Sequence, residues 1–221
     1  MSSFKKFIKK ENSKKILFTP GPSSLLEENL NGLKPCFFAS NASACEFTSS
    51  VFTLAEIPLS LVTLDGSIEL ASVRGKRKVK AQEFFQGILT TARKANEMVI
   101  GLDWPGRQRY TGYGFTEIAQ RHGDFAIVAV AAAATVRENR IEKLSLGIGG
   151  VEERPFLAET LTFVGCQADN ETVGEIASAS ASAVDPMADL QANPDYRRQL
   201  VRVLVADTLR SAFNDAKQHR T

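Results

Sequence analysis

The chain has 221 residues, 43% hydrophobic and 24% charged, which is enough for one large or two small globular units around a buried core and too apolar for a disordered chain. The formal net charge is only +2. Its excess is local: Lys5, Lys6, Lys9, Lys10, Lys14 and Lys15 face a single acid, Glu11, a run whose charge suits nucleic acid or an anionic membrane but reads more simply as a solvated tail.

No apolar stretch reaches the roughly 18 to 20 residues of a membrane span. Ile16 to Phe18 runs directly into Thr19-Pro20-Gly21-Pro22, leaving no apolar core for a signal peptide. A soluble, cytoplasmic protein is expected, with neither nucleic acid nor membrane among its partners. Cys36, Cys45 and Cys166 form no CxxC pair and read as free thiols of a reducing compartment. An iron–sulfur cluster needs about four sulfur ligands, and His122 and His219 are too few and too far apart for zinc, so no metal site is expected.

After the basic tail, residues 15–38 read KILFTPGPSSLLEENLNGLKPCFF: a short strand, a Pro-Gly-Pro turn, then Ser23 or Ser24 capping a helix that Gly32 ends. This segment resembles the amino-terminal start of class V aminotransferases of the 2-aminoethylphosphonate–pyruvate type, in which a similar turn opens the fold. The resemblance stops at Phe38, and the pyridoxal-binding lysine of such an enzyme would lie far downstream. Residues 39–53, rich in Ser, Ala and Thr, read as a junction.

From Leu54 the runs IPLSLVTLDG and SIELASVRGKRKVK read as two strands separated by a hairpin turn at Asp65-Gly66. A second turn at Arg74-Gly75-Lys76 leads to a strand over Arg77 to Lys80. The basic run Arg74 to Lys80 resembles a nucleic-acid patch by charge, though a twisted hairpin with solvated ends explains it more simply. After AQEFFQG and Thr90-Thr91, Glu97-Met98-Val99-Ile100 opens another strand, and Trp104 to Tyr113 reads as a linker.

The C-terminal unit begins with a strand over Phe115 to Ala119 and a turn over Gln120 to Asp124. A buried strand over Phe125 to Arg137, a hairpin turn at Glu138-Asn139 and a third strand over Ile141 to Gly149 follow. Gly149-Gly150 and Pro155 close the sheet. Leu157 to Val164, Glu171 to Ala183 and Pro194 to Ala216 read as helices. In the last helix Tyr196, Leu200, Val203, Leu204 and Leu209 make an apolar stripe, leaving Arg197, Arg198, Arg202 and Arg210 as a solvated face. The fold class expected is α+β: antiparallel sheet segments, then a three-stranded sheet packed with C-terminal helices.

The group Glu117, Arg121, His122 and Asp124 is the first candidate for chemistry. A His beside an Asp suits acid–base work, but in a turn between strands such residues more often fix the turn through hydrogen bonds. No catalytic residue is assigned. The polar-to-apolar sequence GFTEIAQRHGDFAIVAVAAAATV, the tyrosine-arginine-arginine start of the last helix and the AQEFFQG turn together resemble the FAD-binding medium subunit of molybdenum hydroxylases, the carbon monoxide and xanthine dehydrogenase type.

The two resemblances together imply a division into 1–53 (basic tail and aminotransferase-like or junction segment), 54–106 (the truncated end of a flavin-binding domain) and 107–221 (the flavoprotein C-terminal domain). FAD is the implied cofactor, with Val99 or Ile100 packing on the isoalloxazine. Glu117 stands close to a position that is basic in the xanthine dehydrogenase branch and often acidic in the carbon monoxide dehydrogenase branch. A molybdenum-pterin large subunit and an iron–sulfur small subunit are the implied partners, with electrons passing from the clusters through FAD to an acceptor. The family's alanine-glycine-glycine and glycine-glycine-asparagine loops, which cradle the flavin diphosphate, have no counterpart here. Two other readings stand beside it: an assembly module that keeps only the subunit-contact domain, and a truncated aminotransferase fusion.

Overall fold

The computed structural model describes residues 15–16, 56–121 and 125–218. The basic tail, the Pro-Gly-Pro turn and its helix, the junction, Cys36, Cys45, His122, Asp124 and His219 lie outside them, as does all of the aminotransferase-like segment except Lys15–Ile16, which forms the short strand β1.

The first described segment after β1 corrects the sequence reading. Glu56–Thr63 is a helix, α1, and not a strand. Pro58 falls in its first turn, where a missing N–H is no loss. Asp65-Gly66 is no hairpin turn but the helix terminator: Asp65 adopts φ 56° and Gly66 N–H donates to Leu61 O at 2.8 Å, a Schellman-type cap. The strand-like apolarity of IPLSLVT arises because the helix is buried on opposite sides. Leu61 and Val62 join the core of the first unit, while Leu59 packs on Ala129 and Ala131 of the second.

The first unit is a four-stranded antiparallel sheet in the order β1-β6-β2-β3, with β2 at Ser67–Ser72, β3 at Gly75–Lys80 and β6 at Met98–Asp103. One face carries Ile68, Leu70, Val79 and Leu102 into a core shared with Phe84, Phe85 and α1. The tight turn falls at Val73-Arg74, and Gly75 and Lys76, expected in the turn, already belong to β3, with Ser72 facing Gly75. A one-turn helix α2, Ala81–Phe84, leads into the hairpin of β4, Phe85–Gly87, and β5, Thr90–Thr91.

The second unit is also a four-stranded antiparallel sheet, β10-β9-β8-β7, one strand more than expected. β7 spans Thr111–Ala119, β8 Ala126–Arg137, β9 Arg140–Gly149 and β10 Phe156–Leu157. Glu138 and Asn139 both take positive φ, 47° and 61°, the signature of a type I′ hairpin, so that turn lies where expected. The helix expected over Leu157 to Val164 is reduced to a single 3-10 turn at Leu161–Phe163, because Leu157 is paired in the sheet opposite Gly147.

One face of this sheet is covered by α3, Asn170–Ala183, and α4, Pro194–Gln218. Val128, Val130, Ala132 and Ala134 of β8 and Leu144, Leu146 and Ile148 of β9 meet Ile176, Ala177, Leu204, Leu209 and Phe213 there. Gly112 and Gly114 let α4 lie on β7: an added Cβ at Gly112 would stand 2.0 Å from Ala212 O, and one at Gly114 2.3 Å from Thr208 O. The buried stripe of α4 differs from the one expected. Tyr196 and Val203 are exposed and Arg197 is buried.

Candidate functional site

The second face of the C-terminal sheet is made of small residues. Ala129, Ala131 and Ala133 of β8 stand opposite Gly149, Gly147 and Ser145 of β9. Against this floor lies α1. Ser145 Oγ donates to Thr63 O at 2.6 Å, Thr63 Oγ1 donates back to Leu59 O at 2.7 Å, and a Cβ on Gly147 would meet Thr63 Oγ1 at 2.1 Å. The two units are therefore joined through α1, and the small residues are what lets it approach.

Beside α1, β7 presents Phe115 and Glu117 on that same face, opposite Ala131 and Ala129. Phe115 packs into the cluster of Leu59, Ala129 and Ala131, whereas Glu117 and Arg121, at the far end of the strand, are exposed. The expected flavin neighbours lie on the other sheet. Val99 stands opposite Leu70 and packs against the first unit's core. Ile100 is the extra residue of a bulge, because the register passes from Glu69–Gly101 to Leu70–Val99. Both are half-buried.

Glu97, at the entrance to β6, is held by a two-pronged ion pair. Arg77 Nε meets Oε1 at 2.6 Å and Nη2 meets Oε2 at 2.7 Å, and Lys94 N–H adds a bond of 2.8 Å. The guanidinium of Arg77, followed by the Lys94 amide, draws the Glu97 carboxyl down to about 2. A carboxylate held so firmly in its ionised form acts as a clamp on residues 92–97 rather than as a proton carrier. Within the basic run Arg74 to Lys80, Lys78 pairs with Asp103 at 2.7 Å and Lys80 with Asp65 at 2.8 Å.

Arg197 corrects the reading of a solvated arginine face. It is 2% exposed, and its guanidinium donates to Ile127 O at 2.5 Å, to Gly150 O, and to Asp189 Oδ2 at 2.5 Å. Burial raises the Asp189 carboxyl, but the Ala192 and Gln191 amides and the Arg197 guanidinium outweigh it and leave the group below its ordinary value. The signal was present in the spacing: 197, 200, 204 and 208 fall on one helix face.

For FAD, the described residues fit one part and not another. A diphosphate needs close-approach glycines or a free helix N-terminus. The N-terminus of α3 is filled by its own Asp169, which accepts from Thr172 N–H at 2.9 Å, and that of α4 by Asn193, which accepts from Tyr196 N–H at 2.8 Å. The glycines with positive φ, Gly75, Gly150 and Gly165, terminate strands or loops. Neither the capped N-termini of α3 and α4 nor these three glycines offers a diphosphate cradle. For the ring, β7 offers Phe115, packed with Leu59, Ala129 and Ala131, and the exposed Glu117 on the same face. No group of three or more His, Cys, Asp or Glu able to hold a metal ion occurs among the described residues, and none of their helices is long and apolar enough to cross a membrane.

This sheet-and-two-helix unit has known counterparts. Residues 113–212 match the family described as the CO dehydrogenase flavoprotein C-terminal domain. The chain is 34% identical over 152 residues to the glyceraldehyde dehydrogenase medium chain of Sulfolobus acidocaldarius, covering 68% of this chain and 54% of that one. It is 29% identical to the nicotine 6-hydroxylase medium subunit of Paenarthrobacter nicotinovorans, covering 70% and 54%.

Among solved structures, quinoline 2-oxidoreductase from Pseudomonas putida 86 superposes with a TM-score of 0.71 at 25% identity, covering 79% of this chain and 61% of that one. Carbon monoxide dehydrogenase from Hydrogenophaga pseudoflava shares the fold, with a TM-score of 0.72 at 20% identity, over 76% and 59%. Residues 113–212 are thus similar to a flavoprotein C-terminal domain, and the chain is similar to medium chains of the molybdenum hydroxylase type. It spans about half the length of the curated relatives it matches.

Proposed function

We propose that this chain is a flavoprotein medium subunit of a molybdenum hydroxylase, or a fragment of one, an oxidoreductase component through which electrons pass from iron–sulfur clusters to FAD and on to an acceptor. Residues 54–106 form the end of a flavin-binding domain and 107–221 its C-terminal domain. The observation that carries the reading is the match of residues 113–212 to the flavoprotein C-terminal domain, joined to a β7 strand that presents Phe115 and Glu117 on the face where Leu59 of α1 packs. When bound, FAD supplies the one- and two-electron chemistry. The chain's own part is to line the ring, with Val99 or Ile100 as apolar contacts and Glu117 as a polar neighbour. The partners are a molybdenum-pterin large subunit and an iron–sulfur small subunit.

A second reading, a non-catalytic assembly module, is favoured by one observation: the N-termini of α3 and α4 are already capped by Asp169 and Asn193. One experiment separates the two. The full chain is mixed with the large and small subunits and with FAD, and the purified assembly is examined for flavin absorbance. On the first reading the chain alone binds FAD weakly, while the assembly retains it and bleaches when the hydroxylated substrate is added. An assembly that forms without flavin supports the module, and absence of any assembly defeats both.

A further inference from the structure

We infer that Arg197 is a positioning residue for the exposed end of β7 and β8. Its buried guanidinium holds a one-residue bulge in β8 that turns Ala126 onto the face carrying Phe115 and Glu117. The functional part of this inference rests on the flavin-facing reading of that face. Pairing between the strands is regular from Thr111–Thr135 to Ile118–Val128 and then passes to Ala119–Ala126, so Ile127 is the extra residue.

The side chains record the same event. Ile127 and Val128 are consecutive, yet both lie in the core beneath α3 and α4. Ala126 and Ala129 are three apart, yet both pack with Leu59 on the opposite face. A regular strand alternates its faces, so the bulge has reversed the alternation. Without it, Ala126 would point into the helix side.

A bulged residue leaves the ladder, and its carbonyl then needs another donor. Arg197 Nη1 supplies one to Ile127 O at 2.5 Å and to Gly150 O. Gly150 lies just past β9 with φ 77°, and a Cβ there would stand 2.8 Å from both Ala126 O and Ile127 O, so a glycine is what lets the β9 exit lie against the bulge. Asp189 neutralises the guanidinium from the loop before α4. A planar fork reaching two carbonyls and a carboxylate at once is a geometry that lysine lacks. If the guanidinium is lost, both carbonyls are orphaned. The simplest repair is to straighten β8, so that Ala119 faces Ile127 and Ala126 turns over.

The test reads the register in the full, isotopically labelled chain without flavin, from cross-strand proton contacts. The native chain is expected to show Ala119 against Ala126. Arg197→Met is expected to show Ala119 against Ile127, with Ile118 still against Val128. Native register in a folded Arg197→Met overturns the inference. Should that variant fail to fold, Arg197→Lys is read instead: amide exchange about tenfold faster at Ala119, Ala126 and Ile127, with the Glu138-Asn139 hairpin unchanged, is expected, and native exchange at all of these positions overturns the inference. Arg197→Met is then assembled with the partner subunits and FAD. Loss of flavin with the register shift supports the positioning role. A register shift with flavin fully retained shows that the flavin-facing reading of this face is wrong while the hold of Arg197 on the bulge is right.

Discussion

Replacing Gly112 by alanine should be among the most damaging single-methyl changes in this protein. The added Cβ would lie 2.0 Å from Ala212 O, 2.2 Å from Ala216 N and 2.9 Å from Ala216 Cα. Ordinary contact begins at 3.4 Å, so the worst shortfall is about 1.4 Å. Every neighbour is helix backbone, which has no rotamer to change. Relief therefore requires β7 and α4 to part along a seam where Thr208, Ala212 and Ala216 are 0% exposed, and that opens unfilled space beside them. Overpacking of this kind costs about 3 kcal/mol or somewhat more, roughly a 6 to 12 °C fall in melting temperature for a chain of this size.

Gly147→Ala makes a useful contrast. Its Cβ would meet Thr63 Oγ1 at 2.1 Å and Leu59 Cδ1 at 3.0 Å, atoms at the ends of side chains. Turning Thr63 away gives up its bond to Leu59 O, about 1 kcal/mol. Gly101→Ala, which meets only Glu69 Oε2 at 3.6 Å, should be nearly silent on steric grounds. Urea unfolding of the three variants, followed by circular dichroism, measures the order. The reasoning fails if Gly112→Ala lies within about 1 kcal/mol of the native chain or is milder than Gly147→Ala.

Three further outcomes are expected. The carboxyl of Glu97 is lowered from 4.5 to about 2, so its pairing stabilises the fold fully above pH 4.5 and that stabilisation is lost as the pH falls toward 2; Glu97→Gln should be less stable at neutral pH and show a flatter acid limb in melting temperature against pH, and an unchanged limb would refute the assignment. Thr208 Oγ1 is buried without a hydrogen-bond partner, so Thr208→Val should be neutral or stabilising in thermal melts by up to about 1 kcal/mol, and a clear loss would mean that the hydroxyl has a partner. Replacing Glu138-Asn139, both at positive φ, by Asn-Gly should raise stability by roughly 1 kcal/mol in urea unfolding, whereas no gain would show that the turn carries little strain.

Local chemistry was legible wherever a short window decided the structure. The Glu138-Asn139 turn, the apolar run from Phe125 to Arg137 and the 3.6-residue spacing of the last helix each specify an element without reference to anything distant, and the antiparallel C-terminal sheet follows from them. The motifs on β7, β8 and α4 carry the resemblance to the flavoprotein C-terminal domain in the sequence itself. What the window could not decide was which neighbour a segment would meet. IPLSLVT has β-branched and apolar residues enough for a strand, and only burial between two sheets makes it a helix. Asp65-Gly66 ends a helix or turns a hairpin according to what precedes it.

Arg197 reads as solvated until β8 bulges at Ile127 and β9 leaves at Gly150, placing two carbonyls where a guanidinium can reach both. The small residues Ala129, Ala131, Gly147 and Gly149 read as ordinary strand positions until a helix from the other unit is laid across them. Secondary structure here is a property of neighbours within a few residues, and the chain carries it in its own order. The seam between the units, the buried charge and the face presented at the end of β7 depend on groups far apart in the sequence, 82 positions in the bond from Ser145 to Thr63, and come into existence only when the sheets have closed.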